Sequence, residues 1–392
     1  MKEVVILAAQ RTAIGSFLGS LKDIPGPKLG AAAIQAAVKR SGVSPEEIEE
    51  CLMGSVLTAG VGQAPARQAT IFSALPQSVR ATTLNRVCGS GLRTVMWGSQ
   101  IIQCGDAEVI VAGGMENMSR APYLLDKARE GYRLGNAKLI DSMVHDGLWD
   151  VYNNLHMGDC AELCAKERKI SRAEQDQFAI ESYQRAQAAI SQGKFTDETT
   201  GVEVMLGKEK KIFDKDEEPF KAKLDRLGDL KPAFQKEGTI TAGNASSLSD
   251  GASALVLASA DFAKKRGLKP IAKVISQANH AQAPEWFTTA PVQSIQKVLQ
   301  KANLKANDID LYEINEAFSI VSLACIKELG LDSKKVNIRG GAVALGHPIG
   351  ASGARILTTL IHSLRSEGKR YGVASLCIGG GEASALLVEA YS

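Results

Sequence analysis

Cys88-Gly-Ser-Gly-Leu-Arg93 and Ala351-Ser-Gly-Ala-Arg355 are the stretches that decide the fold, because each opens the same succession of elements. Residues 351–355 match Gly89-Ser-Gly-Leu-Arg93 at three of five positions. After Arg93 the pattern reads helix, a break at Gly105, then an apolar strand Glu108–Ala112 ending in Gly113-Gly114. After Arg355 it reads helix, Gly368, strand Gly372–Leu376 and Gly379-Gly-Gly381. A short motif that recurs with its whole sequence of elements indicates a duplicated α/β half, with equivalent loops of the two halves meeting at one site.

Outward from these stretches, Glu3–Ala9, Cys51–Leu57 and Ala107–Ala112 read as short buried strands, and Thr82–Val87 as the strand before Cys88. Leu29–Lys39 and Gly91–Gln103 carry apolar residues at helical spacing. From about Ser119 to Ser249 the chain turns polar and irregular, with a charge-dense stretch at Lys208–Lys223, and reads as an insertion. Ala252–Ala260 restores an apolar strand, and after Pro270 the alternation resumes: strands Ile271–Ser276 and Ile309–Ile314, helices Val292–Ala302 and Glu316–Leu329.

A chain of 392 residues with 45% hydrophobic and 23% charged residues can bury a large core in two or more domains. The net charge of +3 arises from 46 basic against 43 acidic residues without a long run of one sign, so no nucleic-acid partner is expected. No apolar run reaches the roughly 18 to 20 residues that span a bilayer, so no membrane partner is expected. The strand-like start at Met1–Gln10 has neither a signal-type nor a leader-type composition, which predicts a cytoplasmic protein. An odd number of cysteines, 7, argues against a disulfide framework.

Cys88 stands between a strand and a helix start, where amide groups and the helix dipole favour a thiolate, and Gly89 and Gly91 let N–H groups approach the sulfur and an acyl oxygen. These features suit a nucleophile that carries an acyl group; a buried structural cysteine is the alternative. His347, in Gly346-His-Pro-Ile-Gly-Ala-Ser-Gly353, occupies the mirror position of the second half and suits a base, or else a structural histidine. Cys377 ends a strand where catalytic loops of parallel sheets gather. Asn315 closes one strand and is expected to cap the helix from Glu316 or to hold a water. Thr94 replaces the last glycine of a G-x-G-x-x-G pattern, which excludes a dinucleotide loop. His156, Cys160 and Cys164 share one helical face, but a structural zinc needs a fourth ligand that the neighbourhood does not offer, so packing or substrate contact is expected and no metal.

Asn85-Arg-Val-Cys-Gly-Ser-Gly91, Gly113-Gly-Met-Glu-Asn-Met-Ser119, Ala242-Gly-Asn-Ala-Ser246, Asn315-Glu-Ala-Phe318, Gly346-His-Pro-Ile-Gly-Ala-Ser-Gly353 and Cys377-Ile-Gly-Gly-Gly381 together resemble the thiolases over essentially the whole chain. The resemblance implies an α/β fold of two similar halves layered α-β-α-β-α with an inserted loop domain covering coenzyme A. It places the first half at 1–118 plus 250–270, the loop domain at 119–249 and the second half at 271–392.

The implied reaction is the reversible condensation of two acetyl-CoA to acetoacetyl-CoA and coenzyme A. Coenzyme A is then substrate and product, and no cofactor is required. The resemblance implies that Cys88 takes the acyl group, His347 accepts its proton, and Cys377 moves the α-carbon proton. Asn315, through a held water, and His347 would stabilise the enolate. The N–H groups of Cys88 and Gly379 would form a second oxyanion hole. Contacts to coenzyme A are expected from His156, Met157, Ser246 and Phe287, with Lys221 or Arg226 at the phosphates, and a homotetramer is implied.

Leu155-His-Met-Gly158 resembles the short-chain, acetoacetyl-CoA type. Pro284-Glu-Trp-Phe-Thr288 departs from it at Trp286 and Phe287, which keeps a broader 3-ketoacyl-CoA thiolase of fatty-acid degradation as the alternative. A decarboxylating condensing enzyme would need no Cys377, and a silent acyl-CoA carrier would need none of the four polar residues.

Overall fold

Nine successive residues of strand β1 (Val4–Thr12) are buried, as expected of an apolar run covered on both faces. The computed structural model describes residues 1–391. In the first half, β1 leads through helix α1 (Gly26–Ser41) to β2 (Glu50–Gly54), α2 (Pro65–Phe72), β3 (Arg80–Leu84), α3 (Ser90–Cys104) and β4 (Val109–Asn117). The chain then leaves the sheet and returns as β5 (Ser249–Ser259), which pairs antiparallel with β4 and sets Asp250 opposite Asn117. The departing and returning ends of residues 118–248 are therefore side by side.

The second half runs β6 (Ala272–Ala281), α6 (Ala290–Ala302), β7 (Leu311–Ile314), α7 (Ser319–Leu329), α8 (Ser352–Ser366), β8 (Tyr371–Ile378) and β9 (Glu382–Ala390). Inserted in the first half between β4 and β5, residues 118–248 include α4 (Met157–Arg168) and α5 (Arg172–Ser191). Strand order across the sheet is β7-β8-β9-β6-β1-β5-β4-β2-β3.

The duplication is visible in the pairing. Strands β4 and β2 run parallel while β5 is antiparallel to β4; strands β8 and β7 run parallel while β9 is antiparallel to β8. An isolated parallel bridge between Tyr312 and Val336 occupies the place that β3 fills beside β2. The two sheets join where Val5 and Ile6 of β1 pair with Lys273 and Ala272 of β6.

Three apolar cores define the layers. One packs α3 and α8, through Leu92, Met96, Leu357 and Leu360, between the inner faces of both sheets. A second packs α1 and α2 outside the first sheet, and a third packs α6 outside the second. The succession is α-β-α-β-α, the layering of the thiolase fold. The central helices approach at glycines: a Cβ on Gly91 would meet the Ala354 amide at 2.8 Å, and one on Gly353 the Leu92 amide at 2.3 Å. This close crossing brings the N-terminal ends of α3 and α8, and so Cys88 and His347, together.

Two expectations change. The stretch from 119 to 249 is not mainly irregular, since it contains α4 and α5. Helix α5 buries Gln175, Ala179, Ser182, Ala186 and Ala189 at helical spacing, but small and polar residues on that face hide it from a hydropathy reading. The helix expected from Glu316 begins at Ser319, with Phe318 at its N-cap. Residues 315–318 stay out of the helix because Ser246 N–H and Oγ–H donate to the Ala317 carbonyl, and the Glu316 carboxylate is held by Ser182, Asn337 and the Val343 amide.

Candidate active site

Cys88 is presented by a turn tighter than the sequence suggests. Strand β3 ends at Leu84, and Asn85-Arg86-Val87 reverses the chain before α3. Val87 has φ +45°, a left-handed conformation costly for a β-branched residue. Side chains hold it there: Asn85 Oδ1 accepts from the Val87 amide at 2.9 Å, while Ser90 Oγ accepts from the Arg86 amide at 2.8 Å and donates to the Val87 carbonyl at 2.7 Å.

The N–H groups at the Cys88 sulfur are its own and that of Gly379. Those two donors are the pair needed to hold an oxyanion on an acyl group carried by the sulfur. Gly89 and Gly91 are also needed for close packing: a Cβ on Gly89 would strike Ile378 at 2.3 Å, and one on Gly91 the Ala354 amide at 2.8 Å. The expected thiolate is also corrected, because burial pushes the Cys88 thiol up to about 11, against the lowering effect of those amides. Cys88 therefore rests as a thiol.

His347 is buried and follows Gly346, whose φ of +103° and contact with Ser249 admit no side chain. Its Nδ1 lies 2.5 Å from Ser352 Oγ, and the Ser352 hydroxyl donates to the Pro348 carbonyl at 3.0 Å. Having spent its proton there, Ser352 accepts from Nδ1–H, which leaves the lone pair on Nε2. Asn315 Nδ2 approaches that Nε2 at 3.5 Å. Burial, aided by the Arg355 charge, holds the imidazole down to about 3, so it is a neutral base at physiological pH.

Asn315 does not cap a helix. Its backbone N–H is bonded to the Ser375 carbonyl, and its side-chain Oδ1 is buried without a hydrogen-bond partner, so that oxygen can accept from a substrate or a bound water. Cys377 lies on β8, fully buried, with its thiol raised well above the usual value by burial and by the neighbouring Cys88 and Cys325. It belongs to the apolar core that also contains Met157, Phe287 and Phe318.

Cys88, His347 and Gly379 line one predominantly apolar cavity of about 410 Å³. Of the residues expected at coenzyme A, His156, Met157, Ser246 and Phe287 line it as well. His156 caps α4 by accepting from the Gly158 amide at 3.0 Å, and its ring stacks on Phe234 at 4.7 Å. Trp286 instead turns toward Arg168, and Phe287 is the residue that reaches the cavity. Lys221 is elsewhere, bonded to Ser16 Oγ at 2.6 Å and close to Glu217 and Glu218. It lines a neighbouring cavity with Lys223 and Arg226, and Ala242 lines both cavities.

Ser352, Phe234, Met118 and Met143 went unnoticed in the sequence. Ser352 had a signal, since it stands in the repeated Ser-Gly pair at a helix start. Cys160 and Cys164 are buried in the apolar core beside Phe287, and no group of three or more metal-binding side chains occurs among the described residues.

The family models for the thiolase N-terminal domain and the thiolase C-terminal domain match residues 4–261 and 268–390. A protein of Cupriavidus necator named acetyl-CoA acetyltransferase is 51% identical over 391 residues, covering 99% of this chain and 100% of its own. Acetyl-CoA acetyltransferase 1 of Arabidopsis thaliana is 51% identical over 391 residues, covering 99% and 94%. The acetyl-CoA acetyltransferase of Schizosaccharomyces pombe is 49% identical over 389 residues, covering 99% and 98%. With both family models spanning the two halves whose loops meet at Cys88 and His347, this chain belongs to the thiolase family.

Proposed function

We propose that this protein is an acetyl-CoA C-acetyltransferase that interconverts two acetyl-CoA with acetoacetyl-CoA and coenzyme A through an acetyl-Cys88 intermediate. The observation that carries the proposal is one apolar cavity lined by Cys88, His347 and Gly379, with Cys377 buried on the adjoining strand. The names of the relatives at about half identity support the same reading.

The resting protonation states suit the cleavage direction. Cys88 sulfur attacks the 3-keto carbon of acetoacetyl-CoA and gives its proton to His347 Nε2. The carbon–carbon bond breaks, the electrons pass to the enolate of acetyl-CoA, and Cys377 S–H protonates that α-carbon. Coenzyme A then gives its thiol proton to the Cys377 sulfur and attacks the acetyl carbon, from which the Cys88 sulfur leaves, taking back the proton held by His347. Each side chain regains its resting protonation state, the coenzyme A proton replacing the one Cys377 gave to carbon, and condensation is the reverse sequence. The side chains named account for each transfer, so the chemistry requires coenzyme A only as substrate and product.

Ala242 between the two cavities supports a path for coenzyme A from Cys88 toward Lys221, Lys223 and Arg226. Broader-chain 3-ketoacyl-CoA cleavage in fatty-acid metabolism is the second reading, and Phe287 and Phe318, with ring centroids 6.4 Å apart in the cavity wall, favour the short chain. Exposed Tyr123, Leu125 and Leu139 on two paired strands offer an apolar surface for self-association, and a homotetramer is part of the proposal. Among the described residues no helix is long and apolar enough to cross a membrane, and a cytoplasmic location is part of the proposal.

The test is acetyl-CoA added to the purified protein, followed by intact mass and a chain-length series of 3-ketoacyl-CoA substrates. An acetyl adduct lost in Cys88→Ala, with fastest turnover on acetoacetyl-CoA, is expected. Absence of the adduct and of cleavage at every chain length overturns the proposal.

A further inference from the structure

Glu116 is a buried carboxylate beside the reacting groups that none of the steps above uses. It sits near the end of β4, only 2% exposed. Its Oε2 accepts from the Val56 amide at 2.9 Å and from the Gly350 amide at 3.0 Å, while Oε1 accepts from the Leu57 amide at 3.2 Å. These amides belong to different halves. Val56 and Leu57 follow β2 in the first, and Gly350 stands three residues after His347 in the second.

Each side of this bridge is tied to a reacting residue. The Ser55 amide donates to the Leu84 carbonyl at 3.1 Å, and Asn85 Nδ2 reaches the Val56 carbonyl at 3.5 Å, so the Val56 loop is fastened to the turn that presents Cys88. On the other side, Pro348 accepts both from the Ser352 hydroxyl under His347 and from the Ser352 amide. The fit leaves no room to spare: a Cβ on Gly350 would meet Glu116 Oε2 at 2.6 Å, and one on Gly114 the Gly350 carbonyl at 2.0 Å.

We propose that Glu116 is a positioning residue that sets the separation of Cys88 from His347, by holding the Val56 and Gly350 amides on one carboxylate oxygen. The inference rests on the thiolase reading above. Burial pushes this carboxyl up to about 7 against the amides that lower it. The titratable groups that face it are Asp250, across the β4–β5 pair, and Cys88, whose thiol its charge raises.

The test compares the unaltered protein with Glu116→Gln and Glu116→Asp. Glutamine turns an N–H₂ group toward amides that need an acceptor, and aspartate withdraws the carboxylate by about 1.5 Å. Turnover of acetoacetyl-CoA with coenzyme A is measured beside the pH dependence of Cys88 alkylation by iodoacetamide. Both variants are expected to lose about 100-fold in kcat, the scale of a 1 Å misplacement, with KM for acetoacetyl-CoA within about threefold. The alkylation midpoint is expected to move to lower pH in Glu116→Gln alone, because only that change removes the charge.

A lower melting temperature with kcat within about threefold and an unmoved alkylation profile overturns the proposal in favour of a purely structural carboxylate. An unaltered protein inactive on every 3-ketoacyl-CoA overturns the functional reading instead, and the alkylation comparison still decides whether Glu116 acts on Cys88. Should neither variant fold, amide hydrogen exchange in the unaltered protein decides. Protection at Gly350 equal to that of β4 supports the bridge, and exchange within seconds overturns it.

Discussion

Ser352→Ala tests the base most directly, because it removes one oxygen and little else. Ser352 is 1% exposed, and its hydroxyl stands between His347 Nδ1 at 2.5 Å and the Pro348 carbonyl at 3.0 Å. That carbonyl keeps two other donors, the amides of Ala351 and Ser352, both at 2.9 Å, so the substitution orphans only the imidazole N–H. A buried donor without a partner costs about 1–3 kcal/mol, which is roughly 5- to 150-fold against the tautomer with its lone pair on Nε2. The ring is expected to shift its proton to Nε2, where it can no longer accept from Cys88. In acetoacetyl-CoA cleavage, kcat should fall by about 10- to 100-fold while KM stays within threefold and the melting temperature changes little. A Ser352→Ala enzyme that retains kcat within threefold would refute the assignment of Nε2 as the base.

Other outcomes follow from the same geometry. Because the Cys88 thiol is raised to about 11, its alkylation rate should keep climbing between about pH 8.5, where an ordinary cysteine is half ionised, and pH 11; a plateau near 8.5 would contradict the buried thiol. The same raised value makes folding stability fully present below about pH 8.5 and lost as pH rises toward 11, and equilibrium unfolding across that range would show the slope. Phe287→Ala should raise relative turnover of longer 3-ketoacyl-CoA substrates and lower stability by up to about 3–5 kcal/mol, read by a chain-length series and urea unfolding. Arg226→Ala should raise KM for coenzyme A several-fold at low salt, a difference that shrinks at 1 M salt where the Debye length is about 3 Å.

How much of this was legible in the sequence depended on whether the signal was local. The repeat from Cys88 to Gly114 and from Ala351 to Gly381 revealed two like halves, since each element in it has its own periodicity and its own glycine break. Helix α5 was hidden because its packed face is mostly Ala, Ser, Gln and Asp with Tyr183 as its one large side chain, yet Ser171 and Glu174 form a capping box that marks its start. The thiolate expected from a helix start did not materialise, because burial outweighs two amide donors and burial is a property of the assembled halves. The true beginning of α7 was equally non-local: Ser246, Ser182 and Asn337, remote in sequence, compete for residues 316–317.

The protonation states have one further consequence. A thiol raised to about 11 beside an imidazole lowered to about 3 is a poor ion pair, so Cys88 is not stored as an activated nucleophile. In the proposed reaction, ionisation coincides with a bound acyl group whose carbonyl oxygen the Cys88 and Gly379 amides can polarise. Such a site disfavours reaction with adventitious electrophiles and reserves its nucleophile for substrates that fill the apolar cavity. It also assigns the energetic role of the two-half architecture. Each half alone supplies a helix start with one reactive residue, Cys88 or His347, and only their packing at Gly91 and Gly353 buries both and places a proton acceptor beside a thiol that cannot ionise without one.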